Sequence, residues 1–306
     1  MSSRSQSILI FFIVTLGPLL WAGNFVVARS LHDSIEPFQL NYLRWVVAGL
    51  ILLPITVRDW QPIATAWASH PLQILTLGAL SVALFNCLVY SGLQHSSAST
   101  GGAIFALSAL FIMFISRIWR GTRLRAREVL GASVAFLGAG LVIQEDVNGL
   151  LSQEDLRGPL LLIAGSFVWA LYTVCLRRWS VPLTPSACLA TTVFSGLLIM
   201  TPFAIITEMP TASMLADPAV FGGILYVGIG ASVLAFCAWQ KGVATLGAAR
   251  AGVFLNLVPV FTLILGVLVL KEALTPQKVT GVFMVLLGVL LSRTGNNESI
   301  RSSVLK

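Results

Sequence analysis

Long apolar runs alternate with short polar connections along most of this chain. Ten such runs fall at 7–30, 37–57, 71–93, 97–118, 127–143, 158–177, 185–207, 219–240, 248–270 and 276–292. A ~30 Å hydrocarbon core takes roughly 17–25 helical residues to cross. Every run reaches or nearly reaches that length, those at 127–143 and 276–292 being short. The period-two alternation of a barrel stave is missing, and lipid offers no water to an open backbone, so helices are the expected solution. The pattern predicts an all-α integral membrane protein with ten transmembrane helices.

Charge placement adds an orientation. With the N-terminus inside, fourteen of the nineteen Lys and Arg fall on the cytoplasmic side, led by the cluster Arg117, Arg120, Arg123, Arg125 and Arg127 and the pair Arg177–Arg178. That bias predicts cytoplasmic N- and C-termini. The formal charge of +7 then has a topological meaning, and no nucleic-acid partner is expected. Charged residues make up 10% of the chain and mean hydropathy is +0.89, against about 25% charged in a soluble domain. Cys87, Cys175, Cys188 and Cys237 lie inside apolar runs, which argues against a secreted disulfide framework. The first run leads into further runs without a small-residue cleavage site, so no cleavable signal peptide is expected.

The sequence also repeats. Trp21-Ala22 and Trp169-Ala170 are 148 apart, as are Pro37 and Pro185, and Pro54 and Pro202. The offset then becomes 150, linking Leu84/Leu234, Cys87/Cys237, Gly92/Gly242, Gly102/Gly252, Phe111/Phe261, Leu124/Leu274, Gly131/Gly281 and Gly138/Gly288. An ordered series with one two-residue adjustment indicates duplication. The expected units are 7–143 and 158–292, joined by an outer linker at 144–157. Five spans is an odd number, so the second unit enters the bilayer from the opposite side. Inverted repeats are a common construction for transporters that open one central site alternately to each side.

On these residues the chain resembles the ten-helix, EamA-type branch of the drug/metabolite transporter superfamily. The resemblance rests on Leu20-Trp21-Ala22-Gly23-Asn24-Phe25, Pro37, Leu43-Arg44-Trp45, Leu257-Val258-Pro259-Val260-Phe261, Leu270-Lys271-Glu272-Ala273-Leu274-Thr275 and Gly281. It implies a multi-pass bacterial inner-membrane protein that exports amino acids or related metabolites, most like the aromatic and neutral amino-acid exporters. The first half departs from the pattern, with Ala109 opposite Pro259 and Gly121-Thr122 opposite Lys271-Glu272.

Intramembrane polar groups are costly unless they face a cavity or the bundle interior. Trp21 and Asn24 are three apart on one helix face, and Trp169 and Tyr172 repeat the arrangement. Asn86 and Tyr90 lie four apart in the third run, Trp239 and Gln240 adjoin in the eighth, and Ser108 and Asn256 sit within the fourth and ninth. Trp21, Asn24, Asn86, Tyr90, Ser108, Trp169, Tyr172, Trp239 and Asn256 are therefore the expected substrate-binding residues, on runs 1, 3, 4, 6, 8 and 9. Trp45, Trp119 and Trp179 read as belt or packing residues. Arg44 suits a substrate carboxylate or a snorkelling or helix-end role, the structural role being the expectation. For Glu272 a helix-end contact is expected over proton coupling. Gly131, Gly138, Gly281 and Gly288 suit close packing inside the bundle or against a second protomer.

Rival functions find little support. Three histidines without metal-site spacing, no phosphate loop and no deep carboxylate pair argue against an enzyme and against a cofactor or metal. A flippase for a lipid-linked substrate stays open as an alternative, as do other small metabolites or drugs. The expected partners are a small-molecule substrate and the lipid bilayer, with a homodimer as an option.

Overall fold

A computed structural model of the chain describes residues 3–121, 124–150, 156–179, 181–239 and 254–293. Among the described residues the regular elements are helical and no strand occurs. The main helices are numbered 1 to 10: Ser3–Ser30, Pro37–Arg58, Pro71–Gln94, Ala98–Trp119, Ala126–Leu150, Arg157–Trp179, Pro185–Ile206, Pro218–Trp239, Leu257–Leu270 and Pro276–Arg293. Helices 2, 3, 7, 8 and 10 all begin on proline, whose fixed φ and missing N–H suit the first turn. Thr184 and Asp217 cap helices 7 and 8 with side-chain oxygens, and Ser97 caps helix 4 by accepting from Thr100 N–H.

Helices 1 to 8 each carry an apolar stretch long enough to cross a bilayer, whereas Leu257–Leu270 and Pro276–Ser292 are shorter. The ninth expected span starts at 248, and 248–253 lie outside the described residues, as does Gln240. Helix 5 runs past its expected end at 143 to Leu150, so the start of the 144–157 linker is helical. Hydropathy marks where the apolar surface stops, while backbone hydrogen bonding continues through Gln144 and Glu145. The outer surface is apolar: Ile118 and Ile206 are each 81% exposed, with Leu137, Leu160, Leu198 and Leu268 also outward. A band of this kind is suited to lipid and not to water.

Backbone irregularities recur at repeat-related positions. Helix 3 widens into a π turn at Ala79–Leu84 and helix 8 into one at Tyr226–Leu234; adding 150 to the first places it within the second. Helix 4 is interrupted at Leu107, and helix 9 is preceded by a turn at Leu255–Asn256. In helix 9 the cause is local, because Pro259 has no N–H for the Leu255 carbonyl and Val258 N–H takes it at 3.1 Å instead. Helix 4 makes a similar tight turn, Leu107 N–H to Ile104 O at 3.0 Å, with Ala109 where proline would stand. Helix 4 ends on Gly121 at φ 64°, and helix 9 on Lys271 at φ 57°, again 150 apart.

Packing follows the same exchange. Helix 1 lies against helices 8 and 9, while helix 6 lies against helices 3 and 4. Helices 2 and 7 pack on one another, as do helices 5 and 10. In the last pair a Cβ added to Gly131 would sit 2.5 Å from Gly288 O, and one on Gly138 would sit 2.6 Å from Gly281 O. Rising numbers on one helix meet falling numbers on the other, so these repeat-equivalent helices run antiparallel. The four glycines are thus used inside the bundle, where small residues let backbones approach closely.

Candidate transport cavity

The two π turns do more than widen helices. Such turns displace backbone carbonyls and are frequent at functional sites, and here side chains take up the displaced groups. In helix 3, Asn86 Nδ2 donates to Ser81 O at 3.1 Å, and Asn41 Nδ2 donates to Val82 O at 2.9 Å and Ala83 O at 3.2 Å. In helix 8, Ser232 Oγ donates to Val227 O at 2.8 Å, and Trp21 Nε1 donates to Ala231 O at 3.1 Å. These bonds fix Asn86, Ser232 and Trp21 toward the space between the halves. Gly23 keeps helix 1 bare where the Tyr226 hydroxyl comes in to donate to Leu20 O at 3.1 Å.

Arg44 of helix 2 reaches into this space and is 3% exposed. Its Nε and Nη2 donate to Ser232 Oγ at 2.9 and 2.7 Å. Nη1 donates to Asn24 Oδ1 at 3.0 Å, Asn86 Oδ1 at 2.8 Å and the Tyr90 hydroxyl. Tyr90 in turn donates to Asn24 Oδ1 at 2.7 Å. The guanidinium carbon lies 4.8 Å from the Trp45 ring centroid. All of these partners are neutral, and stretches 12–30, 37–58, 71–94 and 218–239 contain no Asp or Glu. A buried cation without a counter-ion costs several kcal/mol, offset among the described residues by neutral acceptors and ring faces.

Beside Arg44 lies a cavity of about 40 Å³, room for about three waters at the usual 10–15 Å³ each. Helix 1 contributes Trp21, Asn24 and Phe25, helix 2 Arg44 and Trp45, and helix 3 Ser81, Val82, Phe85 and Asn86. Phe105 of helix 4, Trp169 and Tyr172 of helix 6, Leu189, Thr192 and Val193 of helix 7 and Phe236 of helix 8 complete the described lining. Trp169 is central to the aromatic wall, with centroids 4.9 Å from Phe85, 5.3 Å from Tyr172 and 6.0 Å from Phe105. Trp21 packs edge-on against Phe236 at 5.5 Å.

Of the nine expected residues, Trp21, Asn24, Asn86, Trp169 and Tyr172 come together in the lining. Tyr90 stands one layer behind, bonded to Arg44 and Asn24. Trp239 packs on Trp21 at 6.0 Å without lining the cavity. Ser108 and Asn256 sit at the interruptions of helices 4 and 9, away from the described cavity wall. Helices 2 and 7, outside the expected set, belong to the described lining, while 248–253 of the expected ninth span lie outside the described residues. Those two helices go unexpected because Leu189, Thr192 and Val193 share a helix face but look like ordinary apolar packing, and Arg44 reads as structural. Trp45, expected as a belt or packing residue, is 2% exposed inside the bundle and lines the cavity. Trp119 is on the outer surface with Arg178 over its ring at 5.1 Å. Glu272 makes a helix-end contact, accepting from Ala98 N–H at 2.7 Å, Ser99 N–H at 3.2 Å and the Ser99 hydroxyl.

A protein-family model described as the EamA-like transporter family matches this chain twice, over residues 8–144 and 156–294. The chain belongs to that family. Two successive matches agree with the repeat in the backbone, and the EamA-like assignment makes the protein a multi-pass membrane transporter. Among its relatives, the Bacillus subtilis "Uncharacterized transporter YyaM" is 28% identical over 91% of this chain and 92% of its own length. The "Probable amino-acid metabolite efflux pump" of Escherichia coli is 22% identical over 96% of both chains. Its Salmonella typhimurium namesake is 22% identical over 93% of this chain and 94% of its own. One solved crystal structure shares the fold with a TM-score of 0.65 at 18% identity, covering 95% of this chain and 98% of that one.

Proposed function

We propose that this EamA-like protein is a secondary transporter exporting or exchanging small metabolites, aromatic and neutral amino acids foremost, across the inner membrane. Residues 7–143 and 158–292 act as two inverted five-helix halves with cytoplasmic termini, rocking about a shared site. One observation carries the reading: the cavity is lined by repeat-equivalent positions from both halves. Trp21 faces Trp169 across it, Asn24 has Tyr172 as its equivalent, Arg44-Trp45 has Thr192-Val193, and Asn86 has Phe236. A site on the axis between inverted halves is the geometry alternating access requires. Antiparallel packing of helices 5 and 10 supports the inversion. Aromatic walls suit a solute with an apolar body, and the names of the Escherichia coli and Salmonella relatives favour amino-acid metabolites. The cavity is too small for such a solute as it stands, so the lining helices separate to admit one.

Counterflow in proteoliposomes with labelled amino acids, nucleobases and sugars tests this. Aromatic or neutral amino acids should exchange fastest, and a panel in which none exchanges defeats the reading. Accessibility labelling should place the Arg177–Arg178 turn and the 144–157 linker on opposite sides of the bilayer. A lipid-linked substrate is the second reading, favoured by an apolar groove between helices 2 and 7 walled by Val46, Leu50, Leu53, Phe194 and Leu197. Movement of a labelled lipid between leaflets, without solute exchange, would establish it instead.

A further inference from the structure

We infer that the cavity selects solutes by a single carboxylate held at Arg44, so that an aromatic monocarboxylate binds at least as well as the matching amino acid. This deepens the transport reading and rests on it. Arg44 is a permanent cation buried among neutral groups, with no carboxylate bonded to it among the described residues. A buried arginine that lacks an internal counter-ion is a ready partner for a ligand oxyanion, because its planar fork matches carboxylate geometry.

A second observation points the same way. Trp45 lines the same cavity, and its buried indole N–H has no hydrogen-bond partner. An orphaned buried donor beside an uncompensated cation calls for an acceptor-rich, negatively charged ligand group. Trp169, Tyr172 and Phe236 in the same lining receive an apolar body. No Asp or Glu is among the described lining residues, so nothing there forms an ion pair with an ammonium. One formal positive charge in that lining matches one negative charge on the solute. The chemistry thus asks for an aryl or branched-alkyl monocarboxylate, and the α-amino group of an amino acid is tolerated without being read.

The test uses four probes of one shape on the full chain in lipid nanodiscs: 3-phenylpropionate, phenylalanine, phenethylamine and 3-phenylpropanamide. Titration calorimetry should rank 3-phenylpropionate equal to or tighter than phenylalanine, with the amine and the amide at least tenfold weaker. Removing Arg44 risks the fold, since five bonds converge on it, so the informative variant is Asn24→Asp. It keeps an acceptor facing Arg44 and Tyr90 but supplies the counter-ion from within. Binding of 3-phenylpropionate should fall at least tenfold while the melting temperature holds or rises, a combination that a purely structural Arg44 would not give. An amine or amide binding as tightly as the anion overturns the inference, as does an Asn24→Asp variant with unchanged anion affinity. Counterflow in the same preparation separates the two readings. Exchange of solutes lacking a carboxylate, or no binding of the anion, defeats this inference alone, whereas the absence of exchange by any solute defeats transport as well.

Discussion

The two halves of this chain share a backbone and differ in their chemistry. π turns in helices 3 and 8 and left-handed ends at Gly121 and Lys271 fall at matching positions, and the interruptions at Leu107 and Leu255–Asn256 fall within two residues of matching. In the cavity, by contrast, the first half supplies Arg44, Asn24 and Asn86 where the second supplies Thr192, Tyr172 and Phe236. Only the tryptophans, Trp21 and Trp169, match. The difference separates two demands. Exchange of conformation between halves needs equivalent backbones, because each half must adopt the other's arrangement. Recognition of an asymmetric solute needs different side chains at the two poles. On the proposed mechanism, the shared backbone meets the first demand and the differing side chains meet the second.

The comparison is broken most severely at helices 5 and 10, where both halves depend on bare backbone. Gly288→Val places atoms against Gly131 O, Ala135 N and the Ala135 side chain, and should cost about 3 kcal/mol or prevent folding. Gly140 has open space around its Cβ position, so Gly140→Ala should leave stability unchanged or raise it by up to about 1 kcal/mol. Thermal unfolding in nanodiscs reads both variants. Equal losses would mean that the glycine register of helices 5 and 10 is not what holds them together.

The shared tryptophans come next. Trp169→Ala removes the centre of the aromatic wall and should lower counterflow about tenfold, equivalent to ~1.4 kcal/mol. Trp119→Ala, on the outer surface, should change it less than twofold, and equal flux would defeat the cavity assignment. Smaller effects are expected at the end of helix 9. Glu272→Gln weakens a charged contact with the first N–H groups of helix 4 and should lower stability by about 1 kcal/mol. Lys271→Gly gives the second half the residue that Gly121 provides in the first, and should raise stability by about 1 kcal/mol, since a left-handed conformation costs non-glycine residues roughly that much. A destabilising Lys271→Gly would show that its side chain contributes more than its backbone costs.

Much of this architecture is legible in the residue pattern. Run lengths and proline positions locate the helices, because hydrophobic thickness and the missing proline N–H act locally. Trp21 and Asn24, and Trp169 and Tyr172, stand out because three-residue spacing puts both members on one face. Arg44 reads as structural from its context in the chain and proves to line the cavity. One charged residue in an apolar run looks the same whether it meets lipid headgroups, a helix end or a cavity. Trp45 reads as a belt or packing residue for the same reason, since an indole is common at the interface, in the bundle interior and in a cavity wall. Ser232 carries no signal either, because its bonds to Arg44 depend on the π turn of helix 8.

By itself, then, the sequence determined the class of molecule, the approximate helix positions and the twofold repeat. These follow from the period, length and recurrence of residues along one dimension. Only the tertiary structure decided that helices 2 and 7 line the cavity, that the glycines of helices 5 and 10 face each other, and that Arg44 is bonded, among the described residues, by neutral groups. Those facts depend on which groups from distant parts of the chain meet in a medium without water. In such a medium the cost of an unmatched charge or donor is set by its neighbours in space.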